Sequence, residues 1–203
     1  MIRLLLADDQ ALVRGAMAAL LNLEPDLDVV AEVGRGDEVV AAAVAHHADV
    51  ALIDVEMPGL DGVSAARDLR AALPDCRVLM VTTFGRPGYL RQAMAAGASG
   101  FVVKDTPARQ LADAVRRVHQ GLRVVDPGLA AESLVHGDSP LTQRESDVLR
   151  AAADGKTAAD IAAELHLSEG TVRNHLSSVI AKTGARTRAE AVRLAIDHGW
   201  LLG

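Results

Sequence analysis

Hydrophobic residues in the first 120 positions fall into short runs, and longer stretches of mixed character separate these runs. The runs are rich in aliphatic and β-branched side chains and occupy residues 2–7, 28–33, 50–54, 77–82 and 100–103. Side chains of this kind favour strands. Because the runs are almost continuously apolar rather than alternating, they predict strands that are buried on both faces of a sheet.

The stretches between these runs have helical character. One of them places apolar residues at i, i+3, i+4 and i+7, the stripe of an amphipathic helix: Leu111, Ala114, Val115 and Val118. Five strands that alternate with five helices predict βαβ units and a parallel sheet. We therefore expect residues 1–120 to form a doubly wound α/β domain with a flavodoxin-like, five-stranded parallel sheet.

After residue 120 the pattern changes, and strand-like runs cease. Pro127 and Gly128 interrupt the chain, and residues 136–140 are mostly polar or turn-forming, which together predict a linker over residues 121–139. Beyond the linker, four stretches have helical character and cover residues 142–153, 157–165, 168–182 and 187–198. We therefore expect residues 140–203 to form a small, all-α, four-helix domain.

Helix boundary signals support this second domain. Thr142 and Glu145 have the spacing of a capping box, in which each side chain bonds the backbone N–H of the other residue. Gly155 and Gly184 follow the first and third helical stretches, as expected where a helix ends in the left-handed conformation.

Composition restricts the class of protein. The chain has 203 residues and a net charge of −6, yet residues 171–193 contain five basic side chains and one acidic side chain. A local basic surface of this kind is enough to meet a nucleic-acid backbone. The single cysteine excludes an intrachain disulfide, and no apolar stretch approaches the roughly 20 residues of a membrane helix. We expect a cytoplasmic protein that does not insert into membranes.

Acidic and basic side chains occur at the predicted strand ends. Asp8 and Asp9 follow the first strand, Asp54 ends the third, and Lys104 follows the fifth. In a doubly wound sheet these ends lie at one edge, where ligands bind. Clustered carboxylates repel one another, so a hard divalent cation with oxygen ligands, such as Mg²⁺, is expected among them. The lysine then supplies a positive charge for an incoming phosphoryl group.

The expected chemistry is the transfer of a phosphoryl group to Asp54, the candidate nucleophile. The expected metal ligands are carboxylates and one backbone carbonyl: Asp8, Asp9, Asp54 and, through its carbonyl, Glu56. Lys104 and Thr82 are expected to contact the phosphoryl oxygens, and Phe101 to change rotamer as Thr82 moves. Taken singly, each residue also has a structural explanation, such as a helix cap or a buried strand position. Their joint placement at strand ends favours the site.

The second domain contains a candidate DNA-reading helix. Its apolar positions can face the domain core while three polar side chains face outward together: Arg173, Asn174 and Ser177. Arginine can read guanine and asparagine can read adenine in the major groove. Four further residues are candidates for phosphate contacts, which position a protein without reading sequence: Thr171, Lys182, Arg186 and Arg188. Because one such helix makes few contacts, a dimer that reads paired half-sites is expected.

Many of these residues belong to motifs of a known family. One set resembles the signature of the receiver domain of two-component response regulators: Asp8, Asp9, residues 54–59, Thr82 and residues 101–104. Residues 141–194 resemble the LuxR-type helix-turn-helix, so the whole chain resembles the NarL/FixJ class of response regulators. A closer resemblance, to the DesR subfamily, lies in residues 21–24, 82–89 and 170–174.

The resemblance implies a transcription regulator rather than an enzyme. It implies that a sensor histidine kinase phosphorylates Asp54, that Asp8 and Asp9 hold Mg²⁺, and that Phe101 is the aromatic switch. Phosphorylation would then promote formation of a homodimer and sequence-specific binding to promoter DNA.

Two other functions remain open from the sequence alone. A phosphatase of the haloacid-dehalogenase type has an aspartate two residues after its nucleophile, where this chain has Glu56, and its paired acids lie downstream. Turnover of a generic phosphate ester would identify such an enzyme. An orphan regulator would bind DNA without phosphorylation, and constitutive operator binding would identify it.

Overall fold

The structure is a computed structural model that describes residues 1–83, 87–126, 128–130 and 139–201. The chain divides into two compact units. One unit is built around a β-sheet and the other consists of the C-terminal helices, and each has its own hydrophobic core.

A parallel sheet organises the first unit. Its strands are β1 (Ile2–Ala7), β2 (Leu27–Val33), β3 (Val50–Asp54), β4 (Arg77–Thr82), β5 (Gly100–Val103) and β6 (Val124–Val125). They lie in the order β2-β1-β3-β4-β5-β6, and all neighbouring strands are parallel. The predicted α/β fold with a parallel sheet is confirmed, and the five predicted strands agree with β1 to β5 to within one residue.

The number of strands was wrong in the prediction, because β6 adds a sixth strand beside β5. This segment lies within the range predicted as a linker. Two valines are too short a run for a strand signal, so pairing with Gly100 and Phe101 specifies β6 rather than any local pattern. Gly100 permits this approach, since a Cβ there would lie 2.9 Å from the carbonyl oxygen of Val124.

Helices connect the strands of the first unit. In the described ranges they are α1 (Ala11–Leu21), α2 (Val39–Ala45), α3 (Gly62–Ala72), α4 (Pro87–Ala95) and α5 (Ala108–His119), with a 3₁₀ turn at Gly36–Glu38 before α2. The predicted apolar stripe of α5 is buried in one core with β-strand leucines such as Leu4 and Leu52. Each fully buried leucine contributes about 1.5–3 kcal/mol, which holds the helix against the sheet.

The loop after β3 turns back tightly on itself. β3 is buried at every residue, so its last side chain, Asp54, emerges directly from the core. The N–H of Gly62 donates to the carbonyl of Val55 at 2.9 Å. A Cβ at Gly62 would lie 1.8 Å from the carbonyl oxygen of Asp54, so only glycine fits at this position.

The second unit contains the four helices that the sequence predicts. They are α6 (Gln143–Ala153), α7 (Ala158–Glu164), α8 (Glu169–Thr183) and α9 (Arg188–Asp197). The capping box of Thr142 and Glu145 has both of its reciprocal bonds. Gly184 ends α8 with a φ of 68°, the left-handed conformation that glycine adopts without strain. A second capping box, which was not predicted, joins Thr157 and Asp160.

The core of the second unit lies between its helices. The helix α8 contributes Val172 and Val179, which are fully buried, and packs Leu176 and Ile180 against the same cluster. This is the inward face that the sequence predicts for the candidate DNA-reading helix. The single tryptophan of the chain, Trp200, also packs against this core.

Candidate functional site

Three charged side chains meet at the carboxyl edge of the sheet. Asp8 follows β1, Asp54 ends β3, and Lys104 follows β5. The Nζ of Lys104 lies 2.8 Å from the Oδ2 of Asp8 and 2.8 Å from the Oδ2 of Asp54. Three strands that are distant in sequence therefore deliver one ammonium group and two carboxylates to the same point.

Because these side chains are buried, the pKa of each one depends on the charges of the others. Asp8 and Asp54 are only 1% and 4% exposed. Burial raises the pKa of Asp54, and the hydrogen bond and charge of Lys104 oppose that rise. Burial disfavours the ammonium form of Lys104, but the bonds to Asp54 and Asp8 outweigh it and raise the lysine pKa. The two carboxylates thus favour the ammonium form of Lys104, while burial disfavours the ionised form of Asp54.

A third carboxylate, Asp9, lies beside this pair and is exposed. One carboxylate oxygen from each of Asp8, Asp9 and Asp54 lies within 4.8 Å of the others, close enough for a single ion. The loop that carries Asp8 is fixed, because its Oδ1 accepts from the N–H of Gln10 at 2.9 Å and its carbonyl accepts from Arg14. Oxygen donors of this kind are the ligands that Mg²⁺ prefers.

The remaining residues predicted for this site lie on the neighbouring strands. Thr82 ends β4, is buried, and borders a small depression with five other residues: Asp9, Gln10, Asp54, Glu56 and Thr83. Phe101 lies on β5, paired with Met80 of β4, and its ring is fully buried. In this structure the predicted switch residue therefore has its inward orientation.

A side-chain bond beside the site was not predicted. The hydroxyl of Tyr89, on α4, donates to Oε1 of Glu56 at 2.7 Å. Glu56 was predicted to act only through its backbone carbonyl. No sequence pattern signals this pair, because the partners lie 33 positions apart on different elements.

The exposed face of α8 carries the three predicted base-reading residues. Arg173, Asn174 and Ser177 are exposed together. Arg173 forms an ion pair with Glu169 one turn earlier, at 2.6 Å. At the start of the helix, Ser168 caps the N–H of Thr171, and the two hydroxyl oxygens lie 2.8 Å apart. The helix thus presents the polar face predicted for reading DNA.

Two of the predicted phosphate contacts have partners inside the second unit. The Nζ of Lys182 lies 2.6 Å from Oε2 of Glu145. The guanidinium of Arg188 donates to the carbonyls of Ala152 and Lys156 at 2.6 and 2.7 Å, at the end of α6 and just beyond it. Arg186 is exposed, and its guanidinium forms no ion pair with the described part of the chain. These three cations are therefore not equally available to DNA.

Glu145 is the centre of this internal network. The residue is 4% exposed, and its carboxylate accepts from Thr142, from the hydroxyl of Ser178 at 2.7 Å, and from Lys182. Burial opposes its ionisation, but these hydrogen bonds prevail and lower its pKa to about 2. The residue joins the start of α6 to the face of α8.

Two family models match the chain, one on each part. The response regulator receiver domain matches residues 4–116. The luxR family of bacterial regulatory proteins matches residues 139–195. The first match includes every residue of the carboxyl-edge site, and the second includes the whole of α8.

Similar proteins extend the match to the full chain. A transcriptional regulatory protein of Bacillus subtilis, YvfU, is 42% identical over 99% of this chain and 100% of its own length. DesR of Bacillus subtilis is 40% identical over 98% of this chain and 99% of its own length. The crystal structure of ChrA, the response regulator of a heme-sensing two-component system, is 31% identical, with a TM-score of 0.59 and 98% coverage of both chains.

The described residues include no helix that is both long and apolar enough to cross a membrane. The relatives are regulators of transcription, which agrees with the prediction, made from the amino-acid sequence, of a regulator rather than a phosphatase. The chain belongs to the two-component response regulators, transcriptional regulators in which a receiver domain precedes a LuxR-type DNA-binding domain.

Proposed function

We propose that Asp54 accepts a phosphoryl group from a sensor histidine kinase and that this modification switches dimerisation and promoter binding. The observation that carries the proposal is the position of Lys104, whose Nζ lies 2.8 Å from carboxylate oxygens of both Asp54 and Asp8. An ammonium at this point is suited to hold the oxygens of a phosphoryl group bound to Asp54. Thr82, at the next strand end, supplies a hydroxyl from the same edge.

Mg²⁺ fits the donor set of this site. Asp8, Asp9 and Asp54 offer hard oxygen ligands within reach of one ion, and the backbone carbonyl of Glu56 is the proposed fourth protein ligand. When bound, the ion neutralises charge on the carboxylates and the phosphoryl oxygens. Asp54 would provide the oxygen that bonds to phosphorus as the bond from phosphorus to the phosphodonor breaks. Asp8 and Asp9 would hold the ion, and Lys104 would balance the charge that the phosphoryl group brings.

The proposed output is sequence-specific DNA binding through α8. Arg173, Asn174 and Ser177 would contact base edges in the major groove. Thr171 and Arg186 would contact phosphates, whereas Lys182 and Arg188 would contribute little to phosphate binding, because internal carboxylate and carbonyl partners hold their side chains. A phosphorylated homodimer would present two such helices to paired half-sites, and phosphorylation would act by shifting a two-state receiver domain. The proposed location is the cytoplasm.

The first experiment measures phosphorylation directly. The full chain is incubated with acetyl phosphate and Mg²⁺, and its intact mass is compared with that of Asp54→Asn. We expect a gain of one phosphoryl group in the wild type only, and loss of that gain when the metal is chelated. Equal gains in both proteins would assign the phosphoryl group to another residue and overturn the proposal.

A second experiment tests the output. DNA enriched from a random-sequence pool by the phosphorylated protein is used in a binding assay, with the oligomeric state measured by sedimentation. We expect phosphorylation to increase affinity and dimer content in the wild type and to do neither in Asp54→Asn. Equal, tight binding by the unmodified protein would favour the orphan-regulator alternative.

A further inference from the structure

A mostly buried arginine on α1, Arg14, contacts the loop that carries two of the proposed metal ligands. Its side chain is only 19% exposed. The guanidinium nitrogen Nη1 donates to the backbone carbonyl of Asp8, and Nε lies 3.5 Å from Oε2 of Glu32 on β2. Burying a guanidinium is costly unless it is paired, so these two contacts stabilise it in this position. Arg14 therefore connects α1 to the carboxyl ends of β1 and β2.

The carbonyl that Arg14 binds belongs to the peptide group that joins Asp8 to Asp9. A peptide group is planar, so a bond to its oxygen also fixes the direction in which the chain continues toward Asp9. The next peptide group is fixed as well, because the N–H of Gln10 donates to Oδ1 of Asp8 at 2.9 Å. Asp9 thus lies between two fixed peptide groups, and the first of them is fixed by the side chain of Arg14.

The two neighbouring aspartates differ in what holds them. Three further partners hold Asp8, one at its N–H and two at its carboxylate: Val33, Gln10 and Lys104. Asp9 is exposed, and its carboxylate forms no hydrogen bond or ion pair within the described part of the chain. One of its oxygens nevertheless lies within 4.8 Å of carboxylate oxygens of Asp8 and Asp54. The direction of the Asp9 side chain therefore depends on its backbone, and so on Arg14.

We propose that Arg14 is a positioning residue for metal binding, which directs the Asp9 carboxylate toward the ion by holding the peptide group between Asp8 and Asp9. This inference rests on the proposed function, in which Asp9 is a ligand of Mg²⁺. Arg14 acts through that ligand and not as a ligand, since a guanidinium has no lone pair to offer to a cation. A ligand that is already oriented binds more tightly, because less conformational freedom is lost when the ion arrives.

Loss of the Arg14 guanidinium has opposite consequences through charge and through position. By charge alone, removing a cation near a cation site reduces repulsion and strengthens metal binding. By position, removing the bond to the Asp8 carbonyl releases the peptide group before Asp9 and weakens metal binding. The sign of the change in affinity therefore distinguishes the two effects.

The experiment measures the binding of Mn²⁺ alone to the unphosphorylated full chain. Mn²⁺ prefers the same oxygen ligands as Mg²⁺, its free concentration is read from electron paramagnetic resonance, and competition by Mg²⁺ identifies the shared site. Arg14→Met removes the guanidinium and keeps an unbranched apolar chain in the buried position. We expect this variant to bind Mn²⁺ roughly tenfold more weakly, the lower end of the effect that is typical when a residue that orients a metal ligand is lost.

Two control variants separate this effect from loss of charge or of packing. Glu32→Gln removes the ion-pair partner and leaves the bond from Arg14 to Asp8 in place. Arg67→Met removes an exposed arginine on α3. Both should bind Mn²⁺ with nearly wild-type affinity. The melting temperature of each variant without metal reports a purely structural role, which would lower that temperature and leave the Mn²⁺ affinity of the folded protein unchanged.

A double variant tests whether Arg14 acts through Asp9. Asp9→Asn should weaken Mn²⁺ binding, and adding Arg14→Met should cause no further loss, because the ligand that Arg14 positions is already impaired. Arg14→Gln, which is shorter and neutral, should change the affinity with the same sign as Arg14→Met. It replaces Arg14→Met if that variant does not fold.

The outcomes distinguish the role of Arg14 from the function on which it rests. Unchanged or stronger Mn²⁺ binding in Arg14→Met, or losses that add in the double variant, would overturn the role of Arg14 and leave the proposed function intact. A wild-type chain that binds Mn²⁺ but gains no phosphoryl group on Asp54 would overturn the proposed function, while the Mn²⁺ affinities would still decide the role of Arg14. A wild-type chain that binds no Mn²⁺ would overturn the metal site and the role of Arg14 together.

Discussion

Two buried carboxylates in this chain have opposite electrostatic surroundings. Asp54 shares Lys104 with Asp8 and lies close to a third carboxylate, Asp9, and burial raises its pKa. Glu145 is also buried, but Lys182, Ser178 and Thr142 all donate to it and lower its pKa to about 2. The first site has an excess of negative charge, and the second has its acceptors matched by donors.

The difference distinguishes a candidate ligand-binding site, around Asp54, from a structural contact between two helices, around Glu145. Crowded carboxylates with too few partners cost stability, and residues that cost stability in the free protein mark functional sites. The excess charge around Asp54 is what a bound cation would neutralise. A saturated group such as Glu145 has no capacity left for a ligand, and its bonds instead orient α8 against α6.

The largest change in stability should follow from removing the Glu145 carboxylate, whose oxygens already have hydrogen-bond donors. Glu145→Ala leaves Lys182 and Ser178 without their acceptor and breaks a capping box, so we expect a loss of about 2–3 kcal/mol in the free energy of unfolding. Urea unfolding followed by Trp200 fluorescence measures it, since the single tryptophan packs in the same core.

Asp160 provides a matched control for this prediction. It holds the same position in the capping box of α7 but is exposed, so Asp160→Ala should lower the free energy of unfolding much less than Glu145→Ala does. Equal losses in the two variants would mean that Glu145 contributes no more than an ordinary helix cap.

The response to acid should differ between the two carboxylates. The pKa of Glu145 is lowered from its ordinary 4.5 to about 2, so its stabilisation is complete above 4.5 and disappears as the pH falls through about 2. The urea midpoint from Trp200 fluorescence should therefore fall over this range, and fall less steeply in Glu145→Gln. Parallel pH profiles for wild type and Glu145→Gln would contradict the lowered pKa of Glu145.

Asp54 has a raised pKa, so its contribution to stability depends on pH in the opposite sense. It favours the folded state most at low pH, and this stabilisation is lost as the pH rises past the folded pKa of Asp54.

Neutralising the proposed phosphoacceptor should increase stability, by less than the amount lost in Glu145→Ala. At neutral pH, Asp54→Asn removes a buried charge from a crowded site, so we expect the receiver domain to gain about 0.5–1 kcal/mol in the absence of Mg²⁺. Hydrogen exchange of the β3 amides reports on this domain. Added Mg²⁺ should stabilise the wild type more than the variant, because the variant has lost a ligand.

The exposed acid Asp68, on α3, serves as the control for Asp54. Asp68→Asn should change stability and its dependence on Mg²⁺ very little. A loss of stability in Asp54→Asn would show that the bond to Lys104 outweighs the crowding.

The smallest effect should be that of Lys182 on the salt dependence of DNA binding. Its ammonium is occupied by Glu145, so Lys182→Met should leave the slope of log affinity against log salt nearly unchanged. Arg186→Met, which removes an exposed cation, should reduce the slope by about 0.9, the value for one phosphate contact. Equal reductions would mean that Lys182 leaves Glu145 for DNA.

Local patterns predicted most of the secondary structure. The strands β1 to β5, the capping box at Thr142 and the end of α8 at Gly184 were all predicted within a residue or two, because period and capping are local properties. β6 was missed because a two-residue strand has no period to detect. The side-chain bonds of Tyr89 and Arg188 were missed for another reason, since their partners lie more than 30 positions away.

The sequence by itself determined the fold class, the order of its elements and the set of charged residues at strand ends. Parallel strands must bring their carboxyl ends to one edge, so a local pattern was enough to predict that Asp8, Asp54 and Lys104 would meet. Only the tertiary structure decided how each charge is compensated: Lys104 shared by two carboxylates, Lys182 bound by Glu145, and Tyr89 bound to Glu56. The partner of each charged group depends on distances between residues that are remote in sequence. Packing sets these distances, and no local preference of the chain does.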